Sequence, residues 1–229
     1  MRGWAAGAAA LAAAACGTDP AFDDARRIGA GVQGDLASIF GLGPSGPPPE
    51  RPSRAQLEAL NLAILWVSLD AAPNGAGFAA LTVNRDAVTY GSSDRKSVTL
   101  RGGQVVSTHG LGHDLRGYRS DPAEDPVASP RALGRWPAEV RRVYRHSDGQ
   151  GNEFARAAIC RPVIQGAERV MVYDRELALI RIDEDCATPT WRFTNRYWAD
   201  ARSGFIWRSE QWLSPEAGSI RYEVVRPFG

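Results

Sequence analysis

Residues 191–209 read WRFTNRYWADARSGFIWRS, and this stretch decides the fold class. Residues 191–198 largely alternate between aromatic and polar side chains, and residues 205–209 resume that pattern. An alternation with a period of two is typical of a strand that buries one face. Residues 200–204 between them contain the Asp, Ser and Gly that favour turns. The stretch therefore predicts an antiparallel β-hairpin.

The rest of the chain after residue 60 carries the same signals. Short β-rich runs, separated by Gly and Asn turn signals such as Pro73-Asn74-Gly75, indicate consecutive antiparallel strands. The proline-rich residues 112–138 predict a long irregular crossing. The predicted strands do not alternate with helices, so the pattern does not favour a parallel α/β fold. We therefore expect an all-β protein, an antiparallel meander that forms a strongly bent sheet or half-barrel, with short N-terminal helices. The predicted strands lie at residues 63–69, 78–83, 88–90, 97–100, 104–108, 140–146, 153–162, 169–174, 176–183, 191–198, 205–209 and 220–225.

The first residues have the layout of a secretory signal. One arginine is followed by a short Ala/Leu run, and small residues precede Cys16. A cysteine at this place predicts a lipoprotein signal peptide over residues 1–15 and acylation of Cys16; the alternative is a plain signal peptide cut near Ala15. We expect residues 16–53 to hold an N-terminal helix and a Gly/Pro-rich linker, and residues 54–229 to form a single β domain. Ser53 and Gln56 have the spacing of a helix capping box.

Composition limits the partners and the compartment. The net charge is +1, which gives no electrostatic reason to expect nucleic acid binding. Beyond the leader no apolar run reaches the length of a membrane span. Cys160 and Cys186 are a natural disulfide pair in an oxidising compartment, closing a loop for roughly 3–4 kcal/mol. The alternative is two buried free thiols.

Two motifs invite a cofactor or metal interpretation that their context does not support. His109 and His113 lie four residues apart, but in a Gly-rich stretch after a strand rather than on a helix. Gly41-x-Gly43-x-x-Gly46 matches a dinucleotide fingerprint in letters, yet prolines follow where a helix should begin. We therefore expect neither a metal nor a cofactor.

The tryptophans and arginines of the C-terminal hairpin are the candidate binding residues. Aromatic rings there could be core, since cross-strand aromatic pairs stabilise sheets. They could also form a platform for sugar rings, with arginines pairing acidic sugar groups, or line a lipid cavity. The candidate sugar-binding residues are Trp191, Trp198, Trp207, Arg192, Arg196 and Arg208.

Three stretches resemble the YjbF/GfcB family of outer-membrane lipoproteins from capsule and exopolysaccharide operons. They are residues 102–115 (GGQVVSTHGLGHDL), residues 193–211 (FTNRYWADARSGFIWRSEQ) and residues 220–227 (IRYEVVRP). The similarity covers nearly the whole mature chain from about residue 50.

The resemblance implies an all-β lipoprotein of the outer membrane that faces the periplasm. It implies assistance in capsule or exopolysaccharide export or assembly, through binding of polysaccharide or of other export components, without catalysis. Its partners would be the membrane, through a lipid anchor, polysaccharide and export-machinery proteins, and no nucleic acid. The family brings no catalytic residues and no cofactor. Two alternatives stay open: a lipid- or lipoprotein-binding periplasmic carrier, and a polysaccharide-modifying enzyme with converging carboxylates.

Overall fold

A computed structural model describes residues 51–121, 123–147 and 152–228. The predicted signal peptide, Cys16, the N-terminal helix and most of the linker lie outside these residues. No helix among the described residues is long and apolar enough to cross a membrane. The elements are α1 (Arg54–Glu58), β1 (Ile64–Leu69), β2 (Ala72–Asn84), β3 (Ala87–Gly91), β4 (Ser97–Arg101), β5 (Gln104–His109), β6 (Leu115–Ser120), a 3-10 helix (Leu133–Arg135), β7 (Val140–Ser147), β8 (Glu153–Val172), β9 (Arg175–Ala187), β10 (Arg192–Ala199), β11 (Ile206–Ser214) and β12 (Gly218–Arg226).

The strands form one antiparallel sheet that is nearly closed and barrel-like. Its order is β5-β4-β3-β2-β1-β12-β11-β10-β9-β8-β7-β6, so the two edge strands, β5 and β6, are consecutive in the chain. These edge strands also contact each other. The sheet's inner face holds the main core, to which Tyr144, Tyr197 and Tyr222 each contribute a fully buried ring. The prediction of an all-β, strongly bent antiparallel meander is confirmed.

Helix α1 begins at the predicted capping box. The Ser53 side chain accepts from the Gln56 amide, while the Gln56 side chain accepts from the Ser53 amide. These reciprocal bonds satisfy donors that the first helical turn leaves free. Leu57 is fully buried against the outer side of the sheet, with Ile64 and Val225.

The structure corrects three local predictions. The chain turns before residue 72, so the Pro73-Asn74-Gly75 signal lies inside β2 rather than between strands. Gly75 lies instead near an irregularity in the pairing of β2 with β1. Its φ is +70°, and a Cβ there would lie 2.6 Å from Trp66 Nε1, so the position requires a glycine. β8 runs unbroken through residues 163–168, where we predicted a break. β6 forms within the predicted irregular crossing.

Strands β8 and β9 extend into a long hairpin arm, defined here as residues 161–181. β7 pairs with β8 only as far as Cys160, and β9 pairs with β10 only between Ile180 and Ala187. Beyond these pairings, the arm folds over the outer face of the sheet. There Val170, Val172 and Leu179 pack on Trp198.

Candidate functional site

A fully buried arginine lies at the centre of the sheet interior. Arg142 on β7 has no exposed surface and lies between two fully buried carboxylates. Its Nη2 donates to Asp125 Oδ1 at 3.0 Å, and its Nε donates to Asp125 Oδ2 at 3.2 Å. Its Nη1 donates to Glu184 on β9. Arg142 thereby connects the segment after β6 to two strands of the sheet wall.

Hydroxyl, amide and backbone donors extend this buried network, in which Glu184 Oε1 is left without a partner among the described residues. Tyr197 Oη donates to Glu184 Oε2 at 3.1 Å, and Asn195 Nδ2 donates to the same oxygen at 3.0 Å. Tyr118 Oη donates to Asp125, which also accepts from the Val127 amide at 3.1 Å. Charged groups in a low-dielectric interior are tolerated when they are paired and hydrogen-bonded in this way.

The electrostatics of the network follow from burial and from Arg142. Burial would raise the pKa of Asp125, but the charge of Arg142 and its hydrogen bonds outweigh burial and lower that pKa to about 2. Burial, followed by the charge of Glu184, raises the pKa of Tyr197 well above its usual value. Both phenol donors therefore stay protonated while both acids are engaged by Arg142. This arrangement suits a structural cross-link better than acid–base catalysis, which needs a carboxyl of raised pKa facing a cleft.

A disulfide between Cys160 on β8 and Cys186 on β9 borders the network, with a Cα–Cα distance of 4.0 Å. The predicted pair is thus bonded, across directly opposed residues of the two strands. One ligand atom each of Cys160, Cys186 and Glu184 lie within 4.8 Å of one another. Zinc binds cysteine as thiolate, so the bonded sulfurs offer no thiolate ligands.

An aromatic cluster fills one end of the interior beside the network. Phe193 and Trp212 stack with ring centroids 4.2 Å apart and an interplanar angle of 14°. Trp191 lies 5.2 Å from Trp212, and the buried Tyr144 ring meets Trp212 edge-on at 6.3 Å. Edge-on and offset stacked pairs are the favoured geometries of aromatic rings. Among the predicted sugar-binding residues, Trp191 belongs to this cluster.

A cation and a histidine lie at the rim of the aromatic cluster. The Arg156 guanidinium lies 4.0 Å from the centroid of the Trp191 ring and 4.9 Å from that of Phe154. The His146 ring lies 5.5 Å from Phe154 and 6.0 Å from Trp212. Opposed positions on β7 and β8 bring these groups together, because Tyr144 faces Arg156 and His146 faces Phe154.

The other predicted sugar-binding residues lie elsewhere. Trp198 is buried beneath the hairpin arm, where its Nε1 donates to Glu168. Arg208 lies 4.8 Å over the Trp198 ring and donates to the Met171 carbonyl at 3.3 Å. Arg196 pairs with Glu210 at 3.3 Å.

Of the remaining two predicted sugar-binding residues, Trp207 packs against the cluster that holds Trp198, whereas Arg192 lies apart from it. Arg192 is exposed, and the half-buried Trp207 packs against Phe205 at 5.0 Å. The structure therefore brings Trp198, Trp207 and Arg208 together and separates them from Trp191. Sugar binding by these six residues stays a prediction.

Sequence reasoning missed Arg142, Asp125, Glu184, Arg156 and His146. One signal was available for the first of them. In Val140 to His146, positions 140, 142, 144 and 146 share a face, and Arg142 stands there among apolar and aromatic residues. An arginine at a core position indicates a buried partner. Nothing local indicates that the partners are Asp125 and Glu184, which are 17 and 42 residues away.

A small apolar cavity of about 160 Å³ lies at the β1–β4 side of the interior. Its lining includes Leu65, Tyr90, Leu100, Phe205 and Val224. The volume is below the roughly 300–1,000 Å³ of typical small-molecule sites. The cavity by itself gives little support to carriage of a lipid.

Comparison with known proteins places this chain in a family. A search of curated proteins finds no match. Among solved structures, the hypothetical lipoprotein YmcC from Escherichia coli K12 is similar, with a TM-score of 0.66 and 15% sequence identity over 77% of this chain and 89% of that chain. At this identity the likeness shows the fold alone. The family model for YjbF, described as group 4 capsule polysaccharide lipoprotein gfcB, YjbF, matches residues 35–225. This match confirms the resemblance found in the sequence, and the chain belongs to the YjbF family of capsule polysaccharide lipoproteins.

Proposed function

We propose that this protein is an outer-membrane lipoprotein that faces the periplasm and assists export or assembly of a capsule or exopolysaccharide. In this proposal an acylated Cys16 holds the chain on the membrane, and the Gly/Pro-rich stretch before residue 54 spaces the β domain from it. The protein acts without catalysis, by binding polysaccharide or other components of the export machinery.

Family membership is the single observation that carries this proposal. The matched region covers residues 35–225, which includes the first eleven strands and all but the last residue of β12. The family's description as a capsule polysaccharide lipoprotein supports an envelope role in polysaccharide assembly. The small residues before Cys16 support the anchor, and several acyl chains would make membrane attachment effectively permanent.

The interior supports a binding role over the two alternatives. The paired acids nearest the centre, Asp125 and Glu184, both engage Arg142. An enzyme acting on glycosidic bonds would need two carboxyl groups flanking the substrate, with one kept protonated. A carrier would need a continuous apolar cavity, whereas Arg142, Tyr144 and Tyr197 fill the interior. Recognition on the surface or at the rim of the sheet fits this arrangement.

The test uses a gene deletion complemented by the wild-type chain or by Cys16→Ser. Deletion should reduce surface polysaccharide, and wild-type protein should restore it. The mature wild-type protein should fractionate with the outer membrane and have a mass above that of a chain starting at Cys16 by several acyl groups. The Cys16→Ser protein should be unacylated and fail to restore export.

Two outcomes would contradict the proposal. Unchanged surface polysaccharide in the deletion strain would remove the export role. Full restoration by an unacylated Cys16→Ser protein would remove the anchor from the mechanism. A rescue assay with Arg141→Gln serves as a matched control for expression, because this exposed charge is not one of the candidate binding residues and lies far along the chain from the anchor.

A further inference from the structure

Phe154, Arg156, Trp191 and His146 form the rim of the aromatic cluster and combine two aromatic rings, a cation and an imidazole. We infer that this rim is a site for an acidic sugar residue of a polysaccharide, with Arg156 as the group that recognises the carboxylate. This inference rests on the proposed function and adds the ligand class and the location. It differs from the sequence-based expectation, in which Arg192, Arg196 or Arg208 supplied the charge.

Arg156 is positioned by aromatic rings and forms no ion pair with any described residue. None of the ion pairs found among the described residues includes Arg156, whereas Arg196 and Arg208 each pair with a glutamate. The rings of Trp191 and Phe154 hold the guanidinium on two sides at 4.0 and 4.9 Å. Because this side chain is already positioned, less rotamer freedom is lost when it binds an anion.

Two buried polar atoms at the rim have no hydrogen-bond partner among the residues that the structure describes. They are Arg156 Nε and His146 Nε2, two of eight such atoms among the described residues, and the His146 residue is only 3% exposed. A buried polar atom without a partner costs about 1–3 kcal/mol, so native proteins rarely retain one without a reason. Both atoms are shielded from solvent, so a ligand with hydroxyl and carboxylate oxygens would reach them only after the rim side chains move apart.

Arg156 supplies the positive charge of the rim and acts on the pKa of the neighbouring His146. Burial is the largest cause that lowers the pKa of His146, and the charge of Arg156 lowers it further. His146 is therefore held neutral at neutral pH, where it can bond a hydroxyl. Glu216 opposes this effect from the turn between β11 and β12. It is exposed and pairs with no arginine among the described residues, so the Arg156 charge remains available.

Exposed aromatic surface supplies the remaining element of sugar recognition. Phe154 is 37% exposed and Trp191 is half-buried, so both rings reach the surface at the rim. Aromatic faces pack against the apolar face of a sugar ring while polar groups bond its hydroxyls. The combination of rings, a planar cation and a neutral imidazole fits a uronic acid or another carboxylated sugar. A neutral sugar would leave the Arg156 charge without a partner.

The test measures binding of the exopolysaccharide purified from the producing cells, by titration calorimetry and by tryptophan fluorescence. The polysaccharide is used in native form and after chemical reduction of its carboxyl groups to alcohols. The variants are Arg156→Gln, Arg156→Lys and Trp191→Phe. The matched control is Arg141→Gln, which removes an exposed arginine from the outer side of the neighbouring strand β7.

We expect wild-type protein and Arg141→Gln to bind the native polysaccharide equally and the reduced one at least about tenfold more weakly. Arg156→Gln should lose about tenfold or more with the native form and show no further loss with the reduced form. Arg156→Lys should fall between them, because it keeps the charge without the planar fork. Unfolding curves for each variant separate loss of binding from loss of fold.

Three results would overturn the site. They are equal affinity of wild-type protein for the native and reduced polysaccharide, unchanged binding by folded Arg156→Gln, and no binding to the wild-type protein. If the deletion strain nevertheless loses surface polysaccharide, the proposed export role stands while this site fails. If binding persists and export is normal, the site stands and the export role fails.

Discussion

Arg142 shows at the scale of one residue how a charge can be placed in a core. Its guanidinium bonds both oxygens of Asp125 and reaches Glu184, and no part of the side chain is exposed. Replacing a whole buried ion network by apolar groups is often tolerated, whereas removing one partner leaves the other charges uncompensated. The consequence is a strong dependence on this one side chain.

Arg142→Met should therefore lower the free energy of unfolding by about 3–5 kcal/mol. The matched control is Arg141→Met, which removes the neighbouring exposed arginine and should change stability by less than about 0.5 kcal/mol. Urea unfolding followed by tryptophan fluorescence measures both. Equal effects of the two substitutions would show that the buried network contributes nothing.

The lowered pKa of Asp125 predicts a pH dependence of stability. A carboxyl with a pKa of about 2 in the folded protein, against an ordinary 3.8, stabilises the fold fully above pH 3.8. That contribution, roughly 2 kcal/mol, is lost as the pH falls from 3.8 towards 2. Asp125→Asn should be less stable than wild type at pH 7 and should show a shallower loss of stability in this window.

Unfolding free energies measured from pH 7 down to pH 2 test this slope. The exposed Asp86 gives the control, since Asp86→Asn should keep the wild-type slope. A slope in Asp125→Asn as steep as in wild type would contradict the assignment.

At the scale of elements, the hairpin arm determines that Trp198 is buried rather than part of an exposed binding surface. Its inward-facing Val170, Val172 and Leu179 cover Trp198, and its turn bonds to neighbouring elements. The Tyr173 amide donates to Glu223 at 2.9 Å, and Arg54 of α1 donates to Asp174 at 2.7 Å. The arm is thus a second layer over part of the sheet rather than a free extension.

Trp198→Ala should detach the arm. Loss of a large buried aromatic ring costs about 3–5 kcal/mol, and here most of its packing partners belong to the arm. We expect faster trypsin cleavage after Arg169 and Arg175 in the variant, identified by mass spectrometry. Ile164→Ala, which truncates an exposed residue of the same arm, should cleave at the wild-type rate. Unchanged cleavage in Trp198→Ala would mean that the arm is held by its ion pairs and backbone contacts instead.

At the scale of the whole molecule, polar side chains connect distant strands through the interior. Gln211 on β11 accepts from the Val105 amide at 3.0 Å and donates to the Gly103 carbonyl at 2.8 Å. Tyr222 on β12 donates to the same carbonyl at 2.7 Å. These bonds join β5 and the turn before it to β12 and β11, which are five and six positions from β5 in the sheet order. They help to hold the sheet in its nearly closed form.

Gln211→Leu should destabilise the protein by about 1–3 kcal/mol, because it leaves the buried Val105 amide without a partner. The control is Gln165→Leu, the same chemical change at an exposed position of the hairpin arm. Thermal unfolding measures stability, and hydrogen exchange at Val105 reports the local bond. Slow exchange at Val105 in Gln211→Leu would show that another group satisfies this amide.

The sequence by itself determined the features that depend on near neighbours. The alternation in residues 191–209 predicted β10 and β11, and Ser53 with Gln56 predicted the start of α1. The paired cysteines predicted the disulfide, because only two remain after Cys16. Local periodicity, capping and composition carry such information, since all of it lies within a few residues or in residue type.

Only the tertiary structure decided what the side chains do inside and outside the sheet. Asp125, Arg142 and Glu184 come from separate segments, so their buried network exists only once the sheet has closed. Trp198 occupies an alternating strand position that looks the same whether its face is solvent or a covering arm. The pairing of distant strands sets which face is covered, and strand periodicity gives the two faces without saying what lies over either of them.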